Sequence, residues 1–341
     1  MQTKRIVSLS LTALGMVLLI LDAQSALHSA QEGVEICLKT IIPSLFPLFF
    51  LSAMINSLLC GISSPLLRPL SKIYHIPEGA ESLLLLGLLG GYPVGATAVY
   101  SAFRACVIRK EQAQRMLSFC NNAGPAFIFG MVSVLFDSKN ICWALWGIQI
   151  ASALLVAMLL PYEKSEKAVI SAPQSITPTD ALQTALRNIG SVCGWVILFR
   201  ILYAFCNRWF LWLLPNDLQV LICGLLELSN GCISLTAISH PALRFILTSV
   251  FLSFGGICVG MQTASATGSL STKSYWQGKL MQTSLSLLLA GILQYSLFPD
   301  DPVQPSLLLY LPGLSILSYP ILKKAVDFTK VMGYNERKSL R

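Results

Sequence analysis

Long uncharged, largely apolar runs recur along this chain, and no ordinary soluble fold holds so many of them. They cover residues 6–21, 40–67, 82–103, 116–136, 140–162, 245–272, 280–299 and 302–322. About 20 consecutive apolar residues in a helix span the hydrocarbon core of a bilayer. Only 12% of the 341 residues are charged and 54% are hydrophobic, against about 25% charge in soluble domains. The expected fold is all-α and polytopic, because lipid offers no partner to backbone N–H and C=O groups.

The net charge of +8 comes from 24 Lys and Arg against 16 Asp and Glu. These cations gather in short segments beside the apolar runs, where they act as topology signals facing membrane lipid rather than as a nucleic-acid surface. Lys4 and Arg5 precede the first run, Arg68 and Lys72 follow the second, and Arg104, Arg109, Lys110 and Arg115 crowd one connection. Lys273 and Lys279 share another, and Lys323 through Arg341 fill the tail. The positive-inside rule puts all of them, and both termini, in the cytoplasm. The poorly cationic connections at 22–35, 137–140 and 300–301 then lie outside. Residues 1–26 have the outline of a secretory signal, yet the further membrane runs favour an uncleaved first helix in a multi-pass protein of the cell inner membrane.

The chain's chemistry is sparse. Ten cysteines form no CxxC pair, and His28, His75 and His240 show no ligand spacing, so neither a disulfide framework nor a metal centre is expected. No P-loop, dinucleotide fingerprint or catalytic dyad stands out. An enzyme and an organic cofactor are therefore not expected.

What does stand out is a set of breaks inside apolar runs. Run 82–103 has cations beyond both ends and contains Gly90-Gly-Tyr-Pro-Val-Gly95, so it is expected to turn back as a re-entrant hairpin. Run 116–136 contains Asn121-Asn-Ala-Gly-Pro125, where Pro125 should kink or break the helix. The second half echoes this with Glu227-Leu-Ser-Asn-Gly231 and Ser253-Phe-Gly-Gly-Ile-Cys-Val-Gly260. Ser118-Phe119 recurs 135 residues later as Ser253-Phe254. Charges place the ends of the second hairpin outside, so the halves are expected to be inverted, the layout in which transporters build a site at the bilayer midplane. The expected architecture is about eight transmembrane helices plus two re-entrant hairpins. It divides into a helix and outer loop at 1–34, a first repeat at 35–162, a cytoplasmic linker at 163–187, a second repeat at 188–299, a peripheral helix at 300–322 and a basic tail at 323–341.

The segments Ile42-Pro-Ser-Leu-Phe-Pro47, Gly91-Tyr-Pro-Val-Gly-Ala96 and Ser118-Phe-Cys-Asn-Asn-Ala-Gly-Pro125 resemble the sporulation integral membrane protein family of the YlbJ type, which carries the nucleoside-recognition Gate domain. The likeness extends more loosely through Glu227 to Gly231 and Gly255-Gly256 to Gln262, and covers residues 35–300. Where that family usually has a Lys directly after Gly-Tyr-Pro-Val-Gly-Ala, this chain has Thr97. The resemblance implies action in making the spore cortex, a sporulation-stage membrane, and a fold distantly similar to concentrative nucleoside transporters, with a nucleoside-like solute as one reading.

The candidate solute-binding residues are Gly91, Tyr92, Pro93, Gly95 and Thr97 at the first hairpin tip, and Asn121, Asn122, Gly124 and Pro125 at the broken helix. Ser229, Asn230 and Gln262 are added by the resemblance and by repeat position. Side-chain amides and freed carbonyls can hold a polar solute, while the bland alternative is glycine packing and amides that satisfy broken backbone. Glu227 sits inside a membrane segment, where a lone carboxylate costs at least about 2.5–3.5 kcal/mol. It is a candidate for coupling to H+ or Na+, with Arg200 as its counter-charge. The expected function is to move or sense a small polar solute by rocking of the two halves. A non-transporting scaffold of the sporulation or cell-wall pathway and a membrane-embedded enzyme acting on a lipid-linked precursor are the alternatives, and a homo-oligomer is left open.

Overall fold

A computed structural model describes residues 2–162 and 176–304, apart from 60, 61, 63, 64 and 137. Most of the expected linker (163–175), most of the peripheral helix and the basic tail with Lys323 to Arg341 lie outside the described residues.

The regular secondary structure of the described residues is all helical. In chain order they form α1 (Gln2–Leu21), α2 (Ala23–Ile36), α3 (Ile42–Leu59), α4 (Arg68–Tyr74), α5 (Glu81–Leu89), α6 (Val94–Arg104), α7 (Lys110–Leu117), α8 (Pro125–Gly130), α9 (Lys139–Leu159), α10 (Pro178–Trp209), α11 (Asn216–Leu226), α12 (Leu228–Ser234), α13 (Pro241–Phe254), α14 (Gly256–Thr267) and α15 (Lys273–Leu297). Five helical stretches are long and apolar enough to cross a membrane: Ala23–Leu59, Lys139–Leu159, Pro178–Trp209, Pro241–Thr267 and Lys273–Leu297. Shorter apolar helices lie at Thr12–Leu21, Pro125–Leu135 and Asn216–Leu226.

Two expectations change. The outer connection at 22–35 is helix: α2 and α3 join through a π-helical turn at Cys37–Ile41 into one 37-residue rod. At 1.5 Å per residue it is about 55 Å long, nearly twice the thickness of a hydrocarbon core. Glu35 and Lys39 pair on its surface, which lets charged residues stay helical where the sequence reads as a loop. The expected linker also gives way to helix at its C-terminal end, since α10 starts at Pro178 with Pro in the first turn. There the Thr177 side chain accepts from Asp180 N while the Asp180 carboxylate accepts from Thr177 N, a reciprocal cap that satisfies otherwise orphaned donors.

The breaks fall where Gly, Pro and Asn put them. Helix α5 stops before Gly91, whose φ is +80°, a conformation that glycine takes without a Cβ clash. Run 116–136 does not form a kinked span; it splits into α7, a non-helical stretch at 118–124, and α8 with Pro125 in its first turn. Helix α13 ends in a left-handed Gly255 at φ +79°, and α14 resumes at once.

Three apolar clusters hold the bundle together. One joins α5, α6 and α7 to α9 and α15, a second joins α8, α12 and α13 to the same two helices, and a third packs α3 against α10 and α14. Outside these, large apolar side chains such as Ile20, Leu66, Val134 and Ile292 are exposed, as suits a surface facing acyl chains rather than water.

Candidate functional site

The breaks of the first half interlock through bare backbone. A Cβ on Gly95 would lie 1.6 Å from the Cys120 carbonyl oxygen and one on Gly87 2.4 Å from it, so α5 and α6 close on the 118–124 stretch at those two glycines. A Cβ on Gly124 would come within 2.8 Å of Gly91. Gly95 thus serves packing, in the manner of small-residue contacts between membrane helices.

Behind this contact runs a buried polar network. Asn121 Nδ2 donates to Thr263 Oγ1 at 2.9 Å and Ala96 N donates to Asn121 Oδ1 at 3.4 Å, which ties the first broken helix to α14 and α6. Asn122 Nδ2 donates to the Gly87 and Phe119 carbonyls at 3.1 and 2.7 Å. Its Oδ1 accepts from Gln282 Nε2 at 2.9 Å and from Lys279 Nζ at 3.3 Å. Lys279 also donates to Gln282 Oε1 at 2.7 Å and to the Tyr92 hydroxyl at 3.0 Å. The Tyr92 hydroxyl donates to the Leu252 carbonyl at 3.0 Å, and Gln149 Nε2 donates to the same carbonyl at 3.2 Å.

Lys279 corrects an expectation. The sequence places it with Lys273 in a cytoplasmic connection, yet it lies in α15 with no exposed surface. Unlike a loop cation, its Nζ lies within hydrogen-bond distance of three neutral acceptors, the Tyr92 hydroxyl, Asn122 Oδ1 and Gln282 Oε1. Gln149 and Gln282 escaped the sequence reading as well, since isolated glutamines in apolar runs carry no pattern.

Six of the expected residues line one small cavity of about 50 Å³: Gly91, Tyr92 and Gly124 from the first half, Glu227, Ser229 and Gln262 from the second. Pro93 precedes α6 and its carbonyl accepts from Thr97 Oγ1 at 3.1 Å. Pro125 starts α8. Thr97 lines a second cavity instead, and Asn121, Asn122 and Asn230 stand behind the walls.

Glu227 sits at the N-terminus of α12, where its two oxygens accept from Ser229 N at 3.0 Å and Asn230 N at 2.7 Å. This is helix capping, which stabilises by satisfying orphaned backbone donors. The direct Glu227–Arg200 pair gives way to a relay. Arg200 forms its ion pair with Glu32 of α2, from Nε and Nη2 at 3.0 and 2.8 Å, and donates from Nη1 to Asn230 Oδ1 at 2.8 Å. Both Arg200 donors converge on one Glu32 oxygen, Oε2, as charge-assisted hydrogen bonds. Among the described residues no group of three His, Cys, Asp or Glu is placed to hold a metal ion.

Fold and surface together define a multi-pass, all-helical membrane protein. The chain is similar to the sporulation integral membrane protein YlbJ of Bacillus subtilis (strain 168), at 26% identity over 82% of this chain and 81% of that protein. No family model matches the chain, and no solved structure matches it.

Proposed function

We propose that this protein binds and moves a small polar solute at a site between two halves related as an inverted repeat. The observation that carries the reading is the convergence on one cavity of the Gly91–Tyr92 break, Gly124, the Glu227 cap and Gln262. Discontinuous helices from both halves meeting at one point are how secondary transporters build a central site.

Helix order supports the repeat. Shifted by the 135 residues between Ser118 and Ser253, the start of α5 coincides with that of α11. Under the same shift α3, α6 and α9 start within one residue of α10, α12 and α15, and the broken pair α7 and α8 starts within four residues of α13 and α14. In this reading α5–α6 and α11–α12 are the re-entrant hairpins and the ends bearing Arg104 and Pro178 face the cytoplasm.

The central cavity has room for a few waters or a small ion, since about 10–15 Å³ of such volume holds one water. It must widen to take anything nucleoside-sized, consistent with rocking of one half against the other. The Glu227 carboxyl is the proposed site of H+ or Na+ coupling. The relative's name supports a sporulation membrane as the setting.

Uptake of labelled nucleosides and other small polar solutes into proteoliposomes, with proton or sodium gradients imposed, tests the reading. Gradient-driven accumulation that Glu227→Gln uncouples is the expected result. Wild-type uptake equal to that of empty liposomes across the panel overturns it.

A further inference from the structure

The two cavities follow one another along the same three elements. Ile41, at the end of the π-helical turn, and Leu45 of α3 line the small central cavity, and further along α3 Phe49, Ser52 and Asn56 line a larger one of about 250 Å³. On the α5–α6 unit, Gly91 and Tyr92 give way to Val94, Thr97 and Ser101; on α10, Val196 and Val192 give way to Asn188 and Thr184. Leu45 and Phe49, like Val192 and Asn188, are one helical turn apart, so about 6 Å along each axis separates the two cavities.

What lies between them is apolar. Phe49, Val94 and Val192 are buried in one hydrophobic cluster, with Ile189 among them and Leu45 packed against it. A polar solute crossing this layer would lose its hydrogen bonds at a cost of several kcal/mol per group, so the layer acts as a barrier that must open. Beyond it the larger cavity reaches the surface at Ser101, which is exposed.

The wall of the larger cavity has a definite chemistry. Among the described residues its polar side chains are hydroxyls and amides, with no Asp, Glu, Lys or Arg. The hydroxyl protons of Ser57, Thr97 and Thr184 are spent on carbonyls of their own helices, those of Met54, Pro93 and Asp180. Their oxygens therefore face outward as acceptors. Asn56 Oδ1 is buried without a partner among the described residues, an acceptor that a bound donor would satisfy.

We propose that this larger cavity is the vestibule through which solute approaches the central site from the Pro178 end of α10, that Phe49 and Val94 gate it, and that it takes an uncharged, polyhydroxylated solute. A neutral, acceptor-rich wall suits a ligand with many O–H donors and provides nothing to balance a phosphate or carboxylate. The volume approaches the lower bound of small-molecule pockets, about 300 Å³. The proposal rests on the transporter-like reading, of which it names the route and the solute class.

The test is thiol labelling of the full-length protein in nanodiscs with N-ethylmaleimide, read by the mass of each labelled peptide so that native cysteines are counted separately. Asn188→Cys and Thr184→Cys should label readily. Val192→Cys and Val196→Cys should label at least about tenfold more slowly, as fits sites reached only by local opening. Phe49→Ala should bring Val192→Cys close to the rate of Asn188→Cys, and Leu45→Ala serves as the second opening variant should Phe49→Ala not fold. Ribitol, glucose or N-acetylglucosamine should slow labelling of Asn188→Cys, and N-acetylglucosamine 1-phosphate should not. Equal rates at positions 188 and 192, or an inert Asn188→Cys, overturns the route. Protection by the phosphorylated sugar, or by none of the neutral ones, overturns the solute class. The labelling pattern does not depend on turnover, so a route that holds while proteoliposome uptake fails counts against transport alone.

Discussion

Lys279 Nζ lies 3.0 Å from the Tyr92 hydroxyl, joining two residues 187 positions apart at the closed centre of the bundle. Through Tyr92 and Asn122 the amine reaches both breaks of the first half, and Tyr92 carries the connection on to the end of α13. A buried group of this kind stabilises little by its hydrogen bonds, each worth about 0.6 kcal/mol on average between membrane helices. Removing it leaves its partners unpaired, and that cost is larger.

Lys279→Met keeps an unbranched stem but removes Nζ, and leaves Gln282 Oε1 without its donor. The expected loss is about 1–3 kcal/mol for one orphaned buried acceptor, read as a lower midpoint of unfolding in detergent micelles. Lys273→Met, at an exposed position of the same helix, should stay within about 0.5 kcal/mol of the parent.

Gly95→Ala would drive a methyl group onto the Cys120 carbonyl, where backbone meets backbone and no side chain can rotate away. The variant should fail to give a monodisperse protein by size-exclusion chromatography. Gly147→Ala has open space around its new Cβ and lies inside α9, where Ala is favoured over Gly by up to about 1 kcal/mol. That variant should be as stable as the parent or slightly more so.

Glu227→Ala removes both capping acceptors of α12, at a cost of about 0.5–2 kcal/mol in thermal stability. Glu227→Gln retains one carbonyl acceptor and should lose less. A difference between the two in melting temperature, with ion-coupled uptake lost in both, separates the capping role from the coupling role.

Glu32→Gln unties α2 from α10 at Arg200. Both side chains are partly exposed, so the expected loss is about 1 kcal/mol or less. It should shrink further at high salt because the pair is screened, which unfolding at two ionic strengths would show.

The helix breaks were legible in the sequence because they are local. Gly91 and Gly255 adopt positive φ and Pro125 starts a helix, and each announces itself by residue type alone. Lys279 was not legible, because a lysine six residues from Lys273 beside an apolar run reads as a loop cation, and only tertiary contacts from Tyr92, Asn122 and Gln282 make its burial tolerable. The helical rod through Glu32 and Glu35 was hidden for a related reason: its charges are met by Arg200 and Lys39, and one of these partners lies far away in sequence. The vestibule residues Asn188 and Thr184 fell in or beside a stretch that looked like linker, and their face becomes visible only when α10 is laid against α3.

The central claim is that both halves hold one solute. Its most direct measurement is the melting temperature of the purified protein against nucleosides, sugars and cell-wall precursors, with and without sodium, for the parent, Tyr92→Ala and Gln262→Ala. A ligand at a hundredfold excess over its dissociation constant stabilises by about 2.7 kcal/mol, so binding is readily seen. The account expects a shift with at least one neutral polar compound that is lost in both variants, one from each half. A shift that survives in either variant, or none with any compound, would contradict it.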